Sequence, residues 1–296
     1  MLSNKLKAYH EDTLFEYKKW VKDYARYDVE TAVDYLKEKE VLPKPASGVE
    51  PEELAKELVP REAFHLFYRV APGSNQRVML IGENPRFQSY SRKWYEKNEG
   101  SELLSTGGDM EKLAEVGRTR LLNYLLRSEG SNANYWTGHL SAIFKHIPWL
   151  SGLSGGVNQE LQQHPDRFYN NVYYTNAWKF ATNEGINHAK GRCKLAHPRL
   201  HDEIEIVDPD LLVVCSGAGW RFTIGEGITS DNQTTSTRVE SLDGSPIYGH
   251  YDGTGPDKSA GGVFDINGRV VATAKHPGRY TANGTRQALK RAREYL

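Results

Sequence analysis

The sequence is poor in cysteine and in long apolar runs, and each shortage excludes a class of protein. Its two cysteines, Cys193 and Cys215, are too few for an iron–sulfur cluster, a zinc site with four thiolates or a disulfide scaffold. No stretch approaches the ~20 consecutive apolar residues of a membrane span. Residues 1–20 also lack the apolar segment of a signal peptide. We therefore expect a cytoplasmic protein that has no membrane partner.

An excess of charge of one sign is absent as well, because 38 Lys and Arg residues balance 38 Asp and Glu residues. This balance excludes a uniformly basic coat, but it permits a local basic surface. The 296 residues, 38% of them hydrophobic and 26% charged, have the composition of a globular protein. They suffice for one large domain, or for one domain with a smaller extension.

A local basic surface is predicted near the carboxyl terminus. Residues 268–296 contain seven basic side chains but only one acidic side chain, Glu294. The end of this stretch is predicted to be a helix with two distinct faces. The basic face contains Arg286, Lys290 and Arg293, and the apolar face contains Leu289, Ala292 and Leu296. The basic face is either a phosphate-binding surface or an ordinary solvated helix face, which is the commoner case.

Two regions of the chain differ in their pattern. Residues 1–75 are predicted to form a helical extension of mixed charge, without a catalytic signature, that packs on or beside the main domain. Residues 76–296 alternate short apolar runs with amphipathic segments, which predicts a layered α/β/α domain with a mainly parallel sheet. Residues 225–262 are predicted to be a long loop or a small hairpin insertion. The predicted strands lie in QRVMLIGENP, in VYYTN from Val172, at residues 211–215 and on both sides of the Asn267-Gly268 turn.

Polar residues follow the predicted strands at three points. They are Glu83-Asn84-Pro85, Thr175-Asn176 and His276-Pro277. Parallel sheets bind ligands at the carboxyl ends of their strands, so we expect these residues to converge on one pocket. Taken singly, each has an ordinary explanation: Asn84 as a turn former, Asn176 as a helix cap and His276 as a loop histidine.

At these motifs the chain resembles the uracil-DNA glycosylase superfamily. The similar pieces are LIGENP (80–85), YYTNAWK (173–179), DPDLLVVCSGAG (208–219) and KHPGRY (275–280), in the order of that family. The Gly-Glu-Asn-Pro first motif and the lack of iron–sulfur cysteines mark a divergent member. For residues 76–296 the resemblance implies a three-layer α/β/α sandwich with a central, mainly parallel four-stranded sheet.

The resemblance also implies an activity. The protein is expected to be a monofunctional DNA glycosylase that cuts the N-glycosidic bond of uracil, or of another deaminated base, by water attack without a metal or cofactor. Its expected partner is single- or double-stranded DNA with the base flipped out. The protein is expected to be a monomer, located at the nucleoid in a bacterium or archaeon. Two alternatives stay open: a non-catalytic protein that binds nucleic acid or a base on the same fold, and a hydrolase of free nucleosides or nucleotides.

The resemblance assigns roles to the residues at the strand ends. Asn84 matches the water-positioning residue, and because an amide is no base at neutral pH, it can only orient the water. Glu83 matches an acidic residue of other branches and is an alternative water activator. Asn176 matches the residue that reads the edge of the base. His276 matches the histidine that donates a hydrogen bond to the carbonyl oxygen of the departing base.

Neighbouring residues are candidates for further contacts with the base and with DNA. The family's Gly-x-Pro-Phe piece is absent, so Phe87 and Trp94 are the first aromatic candidates for stacking on the base. Arg86 stands where the family has Gly or Tyr, which leaves the identity of the base open. The candidates for DNA contacts are Lys179, Lys275, Arg279 and Tyr280, of which the last two occupy the position of the wedge.

Three other features are set aside. His197 and His201 have the spacing of a metal-binding pair, but Pro198 lies between them and no third ligand is evident. Cys215 lies in an apolar run and is predicted to be part of the core rather than a nucleophile. The segment 217–219 lacks the third glycine of a dinucleotide-binding turn and is predicted to be a tight turn from strand to helix.

Overall fold

The structure is a computed structural model, and it describes residues 4–9, 12, 77–82, 141–143, 145–147, 163, 171–177, 190–215, 217–224, 237–247, 261–274 and 283–296. The strands are β1 (Val78–Gly82), β2 (Val172–Asn176), β3 (Leu211–Val214), β4 (Val239–Ser241), β5 (Val263–Ile266) and β6 (Arg269–Thr273). The helices are α1 (Lys190–Val207), α2 (Gly217–Ile224) and α3 (Asn283–Ala292), followed by a 3-10 turn (Arg293–Tyr295). Residues 4–9, 141–143 and 145–146 are also helical. Within these ranges, no helix combines the length and the apolar character that a membrane span requires.

The strands form one six-stranded sheet in the order β2-β1-β3-β6-β5-β4. Strand β1 pairs in parallel with β2 and β3, and β3 pairs in parallel with β6. Strands β5 and β4 continue the sheet in antiparallel orientation. The prediction of an α/β fold is confirmed. The described sheet has six strands rather than the expected four. The two additional strands are β5, which forms a hairpin with β6, and β4, which pairs with β5.

The hairpin between β5 and β6 forms at Asn267-Gly268, where the sequence predicts it. Both residues have positive φ, 53° and 82°, which a two-residue hairpin turn requires and which Asn and Gly tolerate best. The Gly268 N–H donates to Asp265 Oδ1 at 2.8 Å. The Arg238 N–H donates to Asn267 Oδ1 at 2.9 Å, so the turn also holds the residue that precedes β4.

Helix α1 is longer than its sequence pattern indicates. The pattern predicts a helix from Pro198, whereas α1 begins at Lys190 and contains this proline. A proline inside a helix removes a backbone hydrogen bond and costs ~3 kcal/mol. Burial of Leu200 and Ile204 outweighs this cost, since tertiary packing supplies most of the stability of a helix. The helix ends before Asp208, whose φ of 48° breaks the helical conformation.

Helices cover both faces of the sheet. On one face, α3 and residues 142, 143 and 147 pack onto the strands in one apolar cluster; we call this the α3 face. On the other, the α1 face, Glu203 of α1 accepts a hydrogen bond from the Tyr173 hydroxyl of β2 at 2.7 Å. There, Trp220 of α2 also packs on Phe264 of β5, with ring centroids 4.8 Å apart. The α3-face cluster includes Val78, Leu80, Val172, Leu211, Val213, Ala272, Ala288, Leu289 and Ala292.

Residues near the amino terminus contact α1. The Tyr9 hydroxyl donates to the backbone carbonyl of Arg199 at 2.8 Å. The Arg199 guanidinium also forms an ion pair with Asp12 at 2.6 Å, and Leu6 is completely buried. The described part of the extension therefore packs on the α/β fold, while the boundary at residue 75 stays a prediction.

Helix α3 has the two faces that its spacing predicts, with one correction. Leu289 and Ala292 are buried, but Leu296 is 38% exposed instead of continuing the apolar face. The helix ends at Ala292 and a 3-10 turn follows. Because a 3-10 turn has three residues per turn, it rotates Leu296 away from the direction that α-helical spacing predicts.

His197 and His201 lie side by side on α1, with ring centroids 4.2 Å apart. His201 Nε2 is 2.7 Å from the carbonyl oxygen of Thr223 in α2, so this nitrogen donates to α2. Burial lowers the pKa of His201 below its ordinary value of 6.5, although the hydrogen bond to Thr223 opposes the shift. His201 therefore joins α1 to α2, and burial favours its uncharged form.

We expect the free energy of unfolding to decrease as the pH falls below 6.5, the ordinary pKa of histidine. The unfolded chain protonates His201 near that pKa, whereas the folded protein does so at a lower pH, so the unfolded state binds more protons in this window. Urea denaturation at about pH 7.5 and about pH 5.5 measures the decrease. His201→Gln should show a smaller decrease than the wild type, and Lys5→Gln, an exposed control, should match the wild type. Equal decreases for His201→Gln and the wild type would contradict this explanation.

Candidate functional site

The four parallel strands end level with one another at their carboxyl ends. Residues at these ends are paired in register, Gly82 with Asn176, Ile81 with Val214, and Val214 with Thr273. Backbone hydrogen bonds continue one residue further, from the Ala177 N–H to the Gly82 carbonyl at 3.1 Å and from the Ala274 N–H to the Val214 carbonyl at 2.8 Å. This edge is where a parallel sheet offers a binding site.

Asn176 is the predicted site residue that the structure describes, and it stands at this edge as the last residue of β2. The described residues include Gly82, directly before Glu83, and Ala274, directly before Lys275. The other predicted residues lie outside the described ranges. They are Glu83, Asn84, Arg86, Phe87, Trp94, Lys179, Lys275, His276, Arg279 and Tyr280.

The side chain of Asn176 is held close to the sheet. Only 4% of the residue is exposed, and its Oδ1 accepts a hydrogen bond from the Tyr174 hydroxyl at 3.3 Å. Tyr174 packs against the α3-face cluster, and because residues two apart on a strand share a face, Asn176 lies on the α3 face too. Tyr174 was not among the predicted site residues, although its position two residues before Asn176 is the signal that would have identified it.

Gly82 makes room for this amide. A Cβ atom at residue 82 would lie 2.3 Å from Asn176 Oδ1 and 3.1 Å from the Tyr174 hydroxyl oxygen. The first distance is far below van der Waals contact, so any side chain at residue 82 must displace the amide. The glycine of the first motif therefore has a steric role: it lets the amide of the second motif lie across the end of β1.

A buried carboxylate supports β2 from the α1 face. Glu203 is completely buried, and it accepts hydrogen bonds from the Tyr173 hydroxyl at 2.7 Å and from Thr175 Oγ1 at 3.1 Å. Tyr173 and Thr175 alternate with Tyr174 and Asn176, so both faces of the strand end are held by polar contacts. The sequence signal for Glu203 is its position in α1 on the face of Leu200, Ile204 and Val207.

Cys215 is the cysteine that the structure describes near the strand ends, and it is not poised for chemistry. Cys215 directly follows β3 and is completely buried. Burial raises the pKa of its thiol to about 12, so no thiolate nucleophile forms near neutral pH. Among the side chains that the structure describes, no three His, Cys, Asp or Glu residues cluster as a metal site would require. Among the described residues, the amide of Asn176 and the hydroxyl of Tyr174 are the polar groups that meet at the end of β2.

Removal of the Glu203 carboxylate is expected to destabilise the protein by about 2–4 kcal/mol, because two buried hydroxyls lose this acceptor. Urea denaturation of Glu203→Ala measures the loss, and Glu203→Gln, which keeps an acceptor oxygen, should lose less. Glu205→Ala is the matched control on the same helix, since its exposed pair with Arg269 is worth at most about 1 kcal/mol. Equal losses for Glu203→Ala and Glu205→Ala would show that the buried hydrogen bonds add nothing.

Comparison with known proteins adds no further assignment. No protein-family model matches the chain, and no curated protein matches it significantly. A functional inference therefore has to come from its residues and their geometry. At the carboxyl ends of the parallel strands, the Asn176 amide ends β2 and Gly82 at the end of β1 leaves room for it.

Proposed function

We propose that this protein is a DNA glycosylase that hydrolyses the N-glycosidic bond of uracil, or of another deaminated base, by attack of water without a metal or cofactor. One observation carries the proposal. The amide of Asn176 lies against Gly82, which directly precedes Glu83 and Asn84. Two motifs that are far apart in the sequence thus meet at one strand end, and they are the motifs assigned to base reading and to water positioning.

The strand order supports the same proposal. Strands β2, β1, β3 and β6 run parallel as neighbours, and helices lie on both faces. This arrangement fits the three-layer sandwich of the uracil-DNA glycosylase superfamily, with β5 and β4 as an addition at one side. Each of the three polar motifs then follows one of the parallel strands, β1, β2 or β6.

The dimensions of the sheet allow the motifs to share one base. Neighbouring strands are ~4.8 Å apart, so β1 and β6, which are separated by β3, are about 10 Å apart. Asn84 follows Gly82 by two residues and His276 follows Ala274 by two residues. Two residues of extended chain reach about 7 Å. Asn84 and His276 are therefore within reach of a base that stands between β1 and β6, with Asn176 beside it.

The chemistry follows from what the departing base requires. Bond cleavage leaves positive charge on the sugar and negative charge on the base, so the protein must place water beside the sugar and stabilise the base anion. In this proposal Asn84 orients the water, with Glu83 as the alternative activator. The amide of Asn176 offers a donor and an acceptor to the edge of the base. His276 donates a hydrogen bond that strengthens as the carbonyl oxygen of the base becomes negative.

The remaining candidates complete the proposed contacts with substrate. Phe87 or Trp94 stacks on the base, and Arg86 takes part in selecting it. Arg279 and Tyr280 fill the gap that the flipped base leaves in the stack, and Lys179 and Lys275 contact phosphates.

The activity test uses oligonucleotides that contain uracil, hypoxanthine or xanthine, followed by alkaline cleavage at any abasic product. Cleavage of one of them supports the proposal. A shift of uracil-containing DNA in a gel without abasic product would identify a base-binding protein instead. Turnover of a free nucleoside, together with binding that does not weaken with salt, would identify a nucleoside hydrolase.

We expect Asn84→Ala and His276→Ala each to abolish release of the base, because each removes one of the groups that act on the reacting bond. The same cleavage assay measures the release, and thermal unfolding shows whether the fold is intact. Gln287→Ala, an exposed change on α3, is the control and should retain full activity. Full activity in either of the first two variants would remove the role assigned to that residue.

Gly82→Ala is expected to lower the rate of base release at least about tenfold, because its methyl group displaces the Asn176 amide and small misplacements are costly in catalysis. Gly284→Ala is the matched control, since beyond its chain neighbours and its own helix backbone nothing lies within 4 Å of the added Cβ. The variant with both Gly82→Ala and Asn176→Ala should be about as stable as Asn176→Ala alone, because the clash with the amide has gone and only the 3.1 Å contact with the Tyr174 hydroxyl remains. If Gly82→Ala releases the base as fast as the wild type, the position of the Asn176 amide does not matter for base release.

A further inference from the structure

The carboxyl-terminal region contains basic residues of two kinds. Some are bound to acidic or carbonyl groups: Arg269 pairs with Glu205 at 2.6 Å and with Asp208 at 3.0 Å, and Arg291 pairs with Asp243 at 2.6 Å. Others are exposed, and no ion pair is recorded for them within the described part of the chain. These are Arg286, Lys290 and Arg293.

A second element adds positive charge beside α3. Residues 141–147 pack with α3 in the same apolar cluster, through Ile143 and Ile147. Between these two, Lys145 is exposed and His146 is half-buried. The pKa of His146 is lowered first by burial and then by positive charge on Lys145, Arg286, Lys290 and Arg293. We call the group formed by Lys145, His146, Arg286, Lys290 and Arg293 the basic ridge.

The ridge begins at the edge of the sheet that holds the candidate site. The Gly284 carbonyl oxygen in the first turn of α3 is 3.8 Å from the Cβ position of Gly261. The Gly261 N–H donates to the carbonyl of Thr273, the last residue of β6, at 2.7 Å. Arg286 therefore lies near the carboxyl end of β6. From there the ridge extends along the helix for about 10 Å, the rise of seven residues.

The surroundings of the ridge favour one class of partner. A lipid surface needs an apolar face beside the charges, but the apolar face of α3 is buried in the core. A polynucleotide needs a row of cations along its backbone and benefits from exposed aromatic rings. The cations lie in a row, and Tyr295, two residues after Arg293, is 43% exposed, with its hydroxyl donating to the backbone carbonyl of Leu242.

We propose that the basic ridge binds the phosphodiester backbone of the nucleic acid whose base enters the site at the strand ends. This inference rests on the proposed function, because it assigns the ridge to the same substrate. The ridge lies on the α3 face, as Asn176 does, and it extends away from the strand-end edge. One strand can therefore follow the ridge and present a base at that edge.

The test measures binding of a fluorescent oligodeoxynucleotide of about 20 residues by anisotropy, from about 50 to about 300 mM salt. The ridge variant carries Arg286→Gln, Lys290→Gln and Arg293→Gln. Its affinity should fall at least about tenfold at ~100 mM salt, and its slope of log affinity against log salt should be smaller by about 2–3. The matched control removes three charges elsewhere, with Lys5→Gln, Lys7→Gln and Arg238→Gln, and should keep the wild-type slope.

Two further variants separate charge from folding. Arg286→Lys with Arg293→Lys keeps the charge and should keep the slope. Lys145→Gln, on the second element, should lower the slope by about 0.7–0.9. An unchanged slope in the ridge variant would overturn the inference. So would displacement of the oligonucleotide by polyglutamate or by phosphatidylserine vesicles at the same charge concentration, because the partner would then be an acidic protein or a membrane.

Base release by the same variants distinguishes the two proposals. Both proposals are supported if the wild type releases uracil and the ridge variant has a raised KM with an unchanged kcat. If the ridge variant releases the base with an unchanged KM, the ridge does not bind the substrate, and the proposed glycosylase function is unaffected. Binding that depends on the ridge, without release of any base, would overturn the glycosylase activity and leave the ridge as a nucleic-acid surface.

Discussion

The in-register parallel pairing of β1 with β2 is the constraint on which the candidate site depends. It places Gly82 opposite Asn176, and the missing side chain at Gly82 is what lets the amide lie across the strand end. A slip of one residue would turn Asn176 to the α1 face and set a larger residue against it. The same pairing, continued through β3 to β6, brings the chain before His276 to the same edge.

The two faces of the sheet contribute differently to this site. On the α1 face, the buried Glu203 accepts hydrogen bonds from Tyr173 and Thr175, which precede the amide residue on β2. On the α3 face, apolar packing anchors a helix whose outer side is basic. Polar contacts thus support the strand end that holds the Asn176 amide, while α3 packs on the α3 face and exposes its basic side chains.

Much of the fold is predictable because its signals are local. The Asn267-Gly268 turn needs only the tolerance of Asn and Gly for positive φ, and β1 and β3, in the centre of the parallel group, are short apolar runs. Signals that depend on distant residues are missed. Helix α1 continues through Pro198 because buried contacts outweigh the local cost, and β4 forms because β5 offers it an edge.

For the candidate site, the sequence alone determined which chemical groups stand at the ends of strands: an amide after β2 and polar motifs directly after β1 and near β6. It also determined the basic face of α3, because spacing along a helix is a local property. Only the tertiary structure decided that Asn176 lies on Gly82, that Tyr174 bonds its amide and that Glu203 supports β2. It also decided that Arg269 and Arg291 pair with acidic residues, whereas the ridge has no ion pair among the described residues. Contacts between distant segments decide these points, since a side chain acquires its partner only when strand order and register bring the two together.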